Sequence, residues 1–246
     1  MSHLDIDQYA NRSSLVGFDP RVKLVCSVSL VVVLALLTAL VPLTLVLLFV
    51  LVMVAMSRIP LRHLVGNYAL ALVFIVFASL TMLLTSGPNA ALVMFIRISA
   101  SVLVLLVLVT TTPFFKMLEA LRSLHMPRVL STLMMFTYRF IFVLLEEMER
   151  MRMARRARGF KGGRSLLDRR ALGTISATIG MVFVRSNQRA TNIYDALLSR
   201  GYSGQVRTMG KLKVKLRDAA LVMAFVSVGS LAVLIQTEVI RWTPCF

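Results

Sequence analysis

Thirty-four consecutive residues, from Leu24 to Ser57, carry no charged side chain. No other feature of the sequence restricts the fold as much. As a single helix the run would be about 51 Å long at about 1.5 Å per residue, against a hydrocarbon core of about 30 Å. Two short spans with a break at Pro42 fit a bilayer, and one steeply tilted helix is the alternative. Three more apolar runs follow: Leu64 to Ser86, closed by the turn residues Gly87, Pro88 and Asn89; Ala90 to Thr112, interrupted only by Arg97; and Ala219 to Thr237. A chain of 246 residues that is 58% hydrophobic is too apolar for a soluble domain. The expectation is an all-α, polytopic membrane protein with about five transmembrane helices and a cytoplasmic module between the fourth and fifth.

The net charge of +17 is unevenly placed, with 21 of the 28 Lys and Arg lying between Pro113 and Arg217. Nucleic-acid binding explains this less well than a basic cytoplasmic segment does, so no nucleic-acid partner is expected. The organisation expected is residues 1–112 (N-terminal segment and four spans), 113–217 (helices at the membrane surface or in the cytoplasm) and 218–246 (fifth span). Arg12, Arg21 and Lys23 precede the first span, Arg58 and Arg62 separate the second from the third, and the turns near Pro42 and Pro88 are uncharged. The N-terminus and basic segment are therefore expected inside and the C-terminus outside. Val129 to Leu145 is apolar but carries Arg139 and runs into "EEMERMRMARRAR". It reads as a membrane-skirting helix, and a spanning helix there would invert everything after it. The opening "MSHLDIDQYANRSS" has no apolar core, so a cleaved signal peptide is not expected.

Within the basic segment, "PFFKMLEALRSLHMP" places Phe114, Met117, Leu121 and Leu124 at helical spacing between Pro113 and Pro127. A long helix is expected from Arg128 to Arg158, supported by the pairs Glu146/Arg150 and Glu149/Arg152, and another from about Ser165 to Arg200. Gly173, Ala177 and Gly180 share one face of the latter, which suits either a close helix crossing or simple flexibility. Both long helices end alike: Ala157-Arg158-Gly159-Phe160 and Ser199-Arg200-Gly201-Tyr202. Glycine just past a helix takes up the left-handed conformation that closes it, and an Arg in the last turn suits the negative end of the helix dipole. Each ending alone is a good cap. Two in the same order suit a subunit that plugs two identical sockets, each offering carboxylates to an Arg fork.

These paired endings resemble the coupling motif of the T component of energy-coupling factor transporters, in which Ala-Arg-Gly ends two cytoplasmic helices; the second copy here has Ser199 for Ala. The N-terminal Asp7, Tyr9, Asp19, Pro20, Arg21 and Lys23 resemble the cobalt-transport, CbiQ-like branch. The resemblance implies a subunit without catalysis of its own. Two ABC-type ATPase subunits (CbiO-like) would bind Ala157, Arg158, Gly159 and Ser199, Arg200, Gly201 in surface grooves. Their ATP-driven closure would pass to a substrate-capturing membrane subunit (CbiM-like), with a small CbiN-like subunit a further partner. Co2+ is the implied substrate, with Ni2+ or a vitamin-type substrate subunit as alternatives. Gly173, Ala177 and Gly180 would mark an X-shaped crossing of the two long helices.

The residues agree that catalysis lies elsewhere. "GQVRTMGKL" at Gly204 to Leu212 has the wrong glycine spacing, and Leu after Lys, for a phosphate-binding loop. His3, His63 and His125 have no ligand spacing, and the two cysteines, Cys26 and Cys245, suggest neither zinc nor a disulfide framework. No cofactor or metal is expected on this chain; ATP belongs to the partner ATPases. Arg97 is the one charge inside a span, either snorkelling to the interface or touching the substrate-capturing subunit. A reading from another class is a membrane scaffold whose basic helices hold anionic lipid headgroups.

Overall fold

The computed structural model describes residues 18–57, 61–124, 126–159, 169–202 and 216–242. Among them are eight α-helices and no strand: α1 (Pro20–Leu36), α2 (Leu40–Met56), α3 (Leu61–Ser86), α4 (Pro88–Thr111), α5 (Phe114–Ser123), α6 (Arg128–Ala157), α7 (Arg169–Ser199) and α8 (Leu216–Trp242). They fall into two compact units, one made of residues 1–124 with 210–246, the other of residues 125–209. The first therefore holds α1 to α5 and α8. In it α5, which the sequence groups with the basic segment, packs on α1.

The uncharged run folds as two helices rather than one tilted helix, and the break comes at Leu37 to Ala39, ahead of Pro42. Pro42 is the third residue of α2, where the N–H that proline lacks would have had no partner within the helix. Each of the two helices has 17 residues, about 25 Å, near the lower limit of about 17 for crossing a bilayer. Among the described residues four helices are long and apolar enough to cross: Leu64–Ser86, Pro88–Thr111, Val129–Ala157 and Asp218–Glu238. The apolar run expected to skirt the membrane is thus part of a helix that by length and composition is able to span it. The many exposed leucines, valines and phenylalanines of α3, such as Leu70, Phe74 and Leu84, fit a lipid solvent.

A single residue joins α3 to α4. Gly87 has φ +88°, open to glycine without strain, and Pro88 opens α4 at a position that needs no N–H. Tyr68 of α3 and Ser99 of α4 share a hydrogen bond of 2.6 Å between their hydroxyls. The core of this unit gathers Leu30, Leu34 and Leu37 of α1 against Leu43, Val46 and Val50 of α2, with Ala100, Leu103, Val104 and Ala232 closing the cluster. Fully buried Ala100 and Ala232 leave room for close helix approach, and Phe49 meets Phe225 edge to face at 5.3 Å.

The tip of the short α1–α2 hairpin is held by hydrogen bonds from outside the hairpin. Gln236 of α8 supplies the acceptor: its Oε1 takes the N–H groups of Thr38 and Ala39 at 3.1 Å each, and its Nε2 donates to the Thr38 hydroxyl. Arg97 of α4 donates to the carbonyl of Leu37, the residue that caps α1. A cation there also meets the negative end of the α1 dipole. Arg97 thus has a structural partner inside its own chain, a contact that the sequence did not suggest.

Three helix ends meet at the opposite end of the unit. Asp19 caps α1, its Oδ1 accepting from the Arg21 N–H at 2.9 Å. The Asp19 N–H in turn donates to Oδ1 of Asp218, in the first turn of α8, at 2.8 Å. Lys23 Nζ donates at 3.4 Å to the carbonyl of Thr111, the last residue of α4. Each charge faces the helix end of the sign that favours it: carboxylates at two N-termini and an ammonium at a C-terminus.

Candidate coupling site

Helix α6 runs to Ala157, and Arg158 leaves the helix with φ −83° and ψ 13°. Gly159 follows with φ +82°, its N–H donating to the Arg156 carbonyl at 3.0 Å. Helix α7 ends in the same way. Gly201 has φ +74° and donates to the Leu198 carbonyl at 2.9 Å, while the Tyr202 N–H reaches back to Leu197 at 3.0 Å. This pair of reversed bonds satisfies carbonyls that the last turn would otherwise leave open. Gly159, Gly201 and the hairpin residue Gly87 are the positive-φ glycines among the described residues. The Ser199 hydroxyl bonds back to the carbonyls of Asp195 and Ala196 at 3.1 Å, so it offers the outside much the same small surface as Ala157. Arg158 and Arg200 are both exposed, and neither joins an ion pair among the described residues. Phe160 lies outside the described residues.

Two cross-ties join α6 to α7. Arg185 pairs with Glu147, whose side chain is mostly buried, and Arg155 donates to the Thr178 hydroxyl and, at 3.5 Å, to the Thr174 carbonyl. Eight residues forward along α6 correspond to seven back along α7, so the helices run antiparallel where they touch. Arg158 lies one turn beyond its tie. Arg200 lies 22 residues past Thr178 in the other direction, about 33 Å along the axis at about 1.5 Å per residue. The two arginines therefore stand at opposite ends of the pair, on the order of 30 Å apart.

Gly173, Ala177 and Gly180 do share a face of α7, but a Cβ added to Gly173 or Gly180 would meet nothing within 4 Å. The polar ties to α6 come through Arg185 and through Thr174 and Thr178, each one position on from Gly173 and Ala177. The pairs read from sequence on α6 are present: Glu146–Arg150 at 2.6 Å and Glu149–Arg152 at 3.7 Å, both exposed. On α5 the most buried residues are Leu118 and Ala120, while Leu124 at the end of the expected apolar face is exposed. His3, His125 and the Gly204 to Leu212 loop lie outside the described residues, as does the side chain of His63. Among the described residues no three His, Cys, Asp or Glu side chains gather as metal ligands. The ties made by Glu147, Arg155 and Arg185 had no signal in the sequence, because each is one charge among many until the fold pairs it.

Residues 11–211 match the model of the CbiQ family, described as cobalt transport protein. The protein named "Cobalt transport protein CbiQ" of Rhodobacter capsulatus is 32% identical over 165 residues, covering 62% of this chain and 65% of that one. Two uncharacterized proteins of Methanocaldococcus jannaschii are 33% and 26% identical over 124 and 154 residues, covering 50% and 63% of this chain. Those matches span 44% and 52% of the two archaeal proteins, so the chain covers between under half and just under two thirds of the length of these relatives. The matched region takes in both helix endings, Arg158 and Arg200, together with α1 to α7, and the chain is a multi-pass membrane protein belonging to the CbiQ cobalt transport protein family.

Proposed function

We propose that this chain is the T component of an energy-coupling factor importer for Co2+, a non-catalytic subunit that carries the work of two ABC-type ATPases to a substrate-capturing membrane subunit. The observation that carries the reading is the repeated helix end. Two exposed arginines, each followed by a left-handed glycine and preceded by a small residue, stand on the order of 30 Å apart at opposite ends of one antiparallel pair. One ligand pocket would need them together; two copies of one ATPase socket need them apart. Among the described residues neither guanidinium joins an ion pair, which suits a carboxylate fork in a groove. In this reading five helices span the membrane, α6 and α7 are cytoplasmic coupling helices, the N-terminus is inside and the C-terminus outside. The ATPases are CbiO-like and the capture subunit CbiM-like, with a small CbiN-like subunit alongside. Cobalt is favoured by the description of the matched family and by the name of the Rhodobacter relative; nickel and vitamin-type capture subunits are the alternatives.

The test is co-purification of the ATPase encoded with this protein, at fixed salt and detergent, for wild type, Arg158→Glu, Arg200→Glu and the double variant. Each single reversal is expected to lower ATPase retention about tenfold, the loss of about 1.4 kcal/mol of binding, and the double to abolish ATP-driven Co2+ uptake. Equal retention in all four would leave ordinary helix caps and remove the reading. The anionic-lipid scaffold makes a different forecast: Arg158→Lys, which keeps the charge but not the fork, binds as well as wild type.

A further inference from the structure

We infer that the cavity between α6 and α7 is a phosphate-binding site whose anchors are Arg185 and Arg189. The site lies wholly within the α6–α7 unit and does not depend on the proposed function. Its volume is about 300 Å3, at the lower end of the range of about 300 to 1,000 Å3 for small-molecule sites, so it suits a headgroup rather than a large cofactor. The α7 wall carries Arg185, Gln188, Arg189 and Asn192. Residues at i, i+3, i+4 and i+7 are neighbours on a helix surface, here along two turns, about 10 Å. Two guanidiniums and two amides therefore line one wall, and all four side chains are hydrogen-bond donors.

Charge decides the sign of the ligand. Among the described residues Glu147 is the one carboxylate that lines the cavity, and it is already paired with Arg185. Its neighbours Glu146 and Glu149 are taken by Arg150 and Arg152, while Arg189 joins no ion pair among the described residues. The wall is thus left with one net positive charge. A guanidinium has five N–H groups, so the tie to Glu147 does not exhaust Arg185, and the oxygens of a phosphate suit two such forks beside amide donors. Such a group is carried by soluble phosphate esters and by phospholipids, and the surroundings favour the lipid. In α6 the exposed Leu133, Ile141 and Leu145 precede the charged run that begins at Glu146; in α7 the exposed Ile175, Ile179, Phe183 and Val184 precede Arg185. Both helices change from apolar to charged where Glu147 meets Arg185, which puts the arginines at a boundary like that of a phospholipid.

The test titrates the full-length chain, in a non-ionic detergent at fixed salt, with phosphatidylglycerol and with glycerol 3-phosphate. Wild type is compared with Arg189→Gln, Asn192→Leu and Arg156→Gln. Arg156 is exposed and joins no ion pair among the described residues, as Arg189 does, but it lies outside the cavity. None of the three changes breaks a side-chain tie among the described residues, so melting temperatures should match wild type. Saturable binding of phosphatidylglycerol is expected, weakened about tenfold by Arg189→Gln, less by Asn192→Leu, and by under about twofold by Arg156→Gln. General attraction of a basic protein to anionic lipid counts charges, so it would weaken Arg189→Gln and Arg156→Gln alike and spare Asn192→Leu. That pattern overturns the inference, and so does the absence of saturable binding to either probe. Displacement of the lipid by glycerol 3-phosphate, with the same dependence on Arg189, keeps the site and makes a soluble phosphate ester its ligand. Failure of glycerol 3-phosphate to displace the lipid keeps the site and makes the phospholipid its ligand.

Discussion

The two units solve opposite problems with the same kinds of residue. In the first, polar side chains are withdrawn from solvent and matched to helix ends by partners far away in sequence: Asp19 with Asp218, Thr38 and Ala39 with Gln236, Lys23 with Thr111. In the second, Arg158 and Arg200 stand exposed, and the ties that hold α6 to α7 lie at the surface or only partly beneath it. Buried polar pairs fix geometry because leaving one member alone is costly. Among the described residues the two exposed arginines join no ion pair, which in the proposed reading leaves them for a partner. In the proposed reading, rigidity and docking belong to separate parts of one polypeptide.

Substitutions should separate the two parts in order of size. Gln236→Leu leaves the N–H groups of Thr38 and Ala39 without an acceptor in an apolar setting, at about 1 to 3 kcal/mol for each orphaned group. The melting temperature of the detergent-solubilised chain should fall by more than for any other single change considered, while Arg158→Glu leaves it unmoved. An unchanged melting temperature for Gln236→Leu would mean that water reaches the hairpin tip and that the contrast between the units is overdrawn. Next come Gly159→Ala and Gly201→Ala. Space is open at both, so the cost is backbone strain alone, about 1 to 2 kcal/mol. Both should weaken ATPase retention to a similar degree, and unequal losses would show that the two endings are not equivalent plugs. Smallest is Arg150→Ala, which breaks an exposed pair of about 0.3 to 0.5 kcal/mol. It should leave both stability and ATPase retention within error.

What could be read in the sequence follows the range of the interaction. Gly87 before Pro88, the closures at Gly159 and Gly201, and the pairs Glu146–Arg150 and Glu149–Arg152 are settled within a turn or two of chain, and their chemistry is visible in a short window. The length of the uncharged run favoured a break between α1 and α2 over one tilted helix, but did not give its position. Proline suits the first turn of a helix as well as a turn between helices, and the choice fell to Gln236, 198 residues from Thr38. Arg97 had no role legible from neighbouring residues, because its acceptor is the carbonyl of Leu37 on another helix. The small-residue face of α7 was a true feature of the sequence, yet α6 contacts the adjacent face through Arg155, a side chain that nothing local sets apart from Arg152 or Arg156.

The hairpin tip also sets an order of events during biogenesis. Leu37, Thr38 and Ala39 emerge from the ribosome early, with backbone groups that neither α1 nor α2 can satisfy. Arg97 arrives with α4, but the Gln236 side chain is synthesised 198 residues after Thr38. Until then the N–H groups of Thr38 and Ala39 lack the acceptor that they have in the folded chain. The hydrogen bonds of the α1–α2 tip are therefore completed only once α8 has been made.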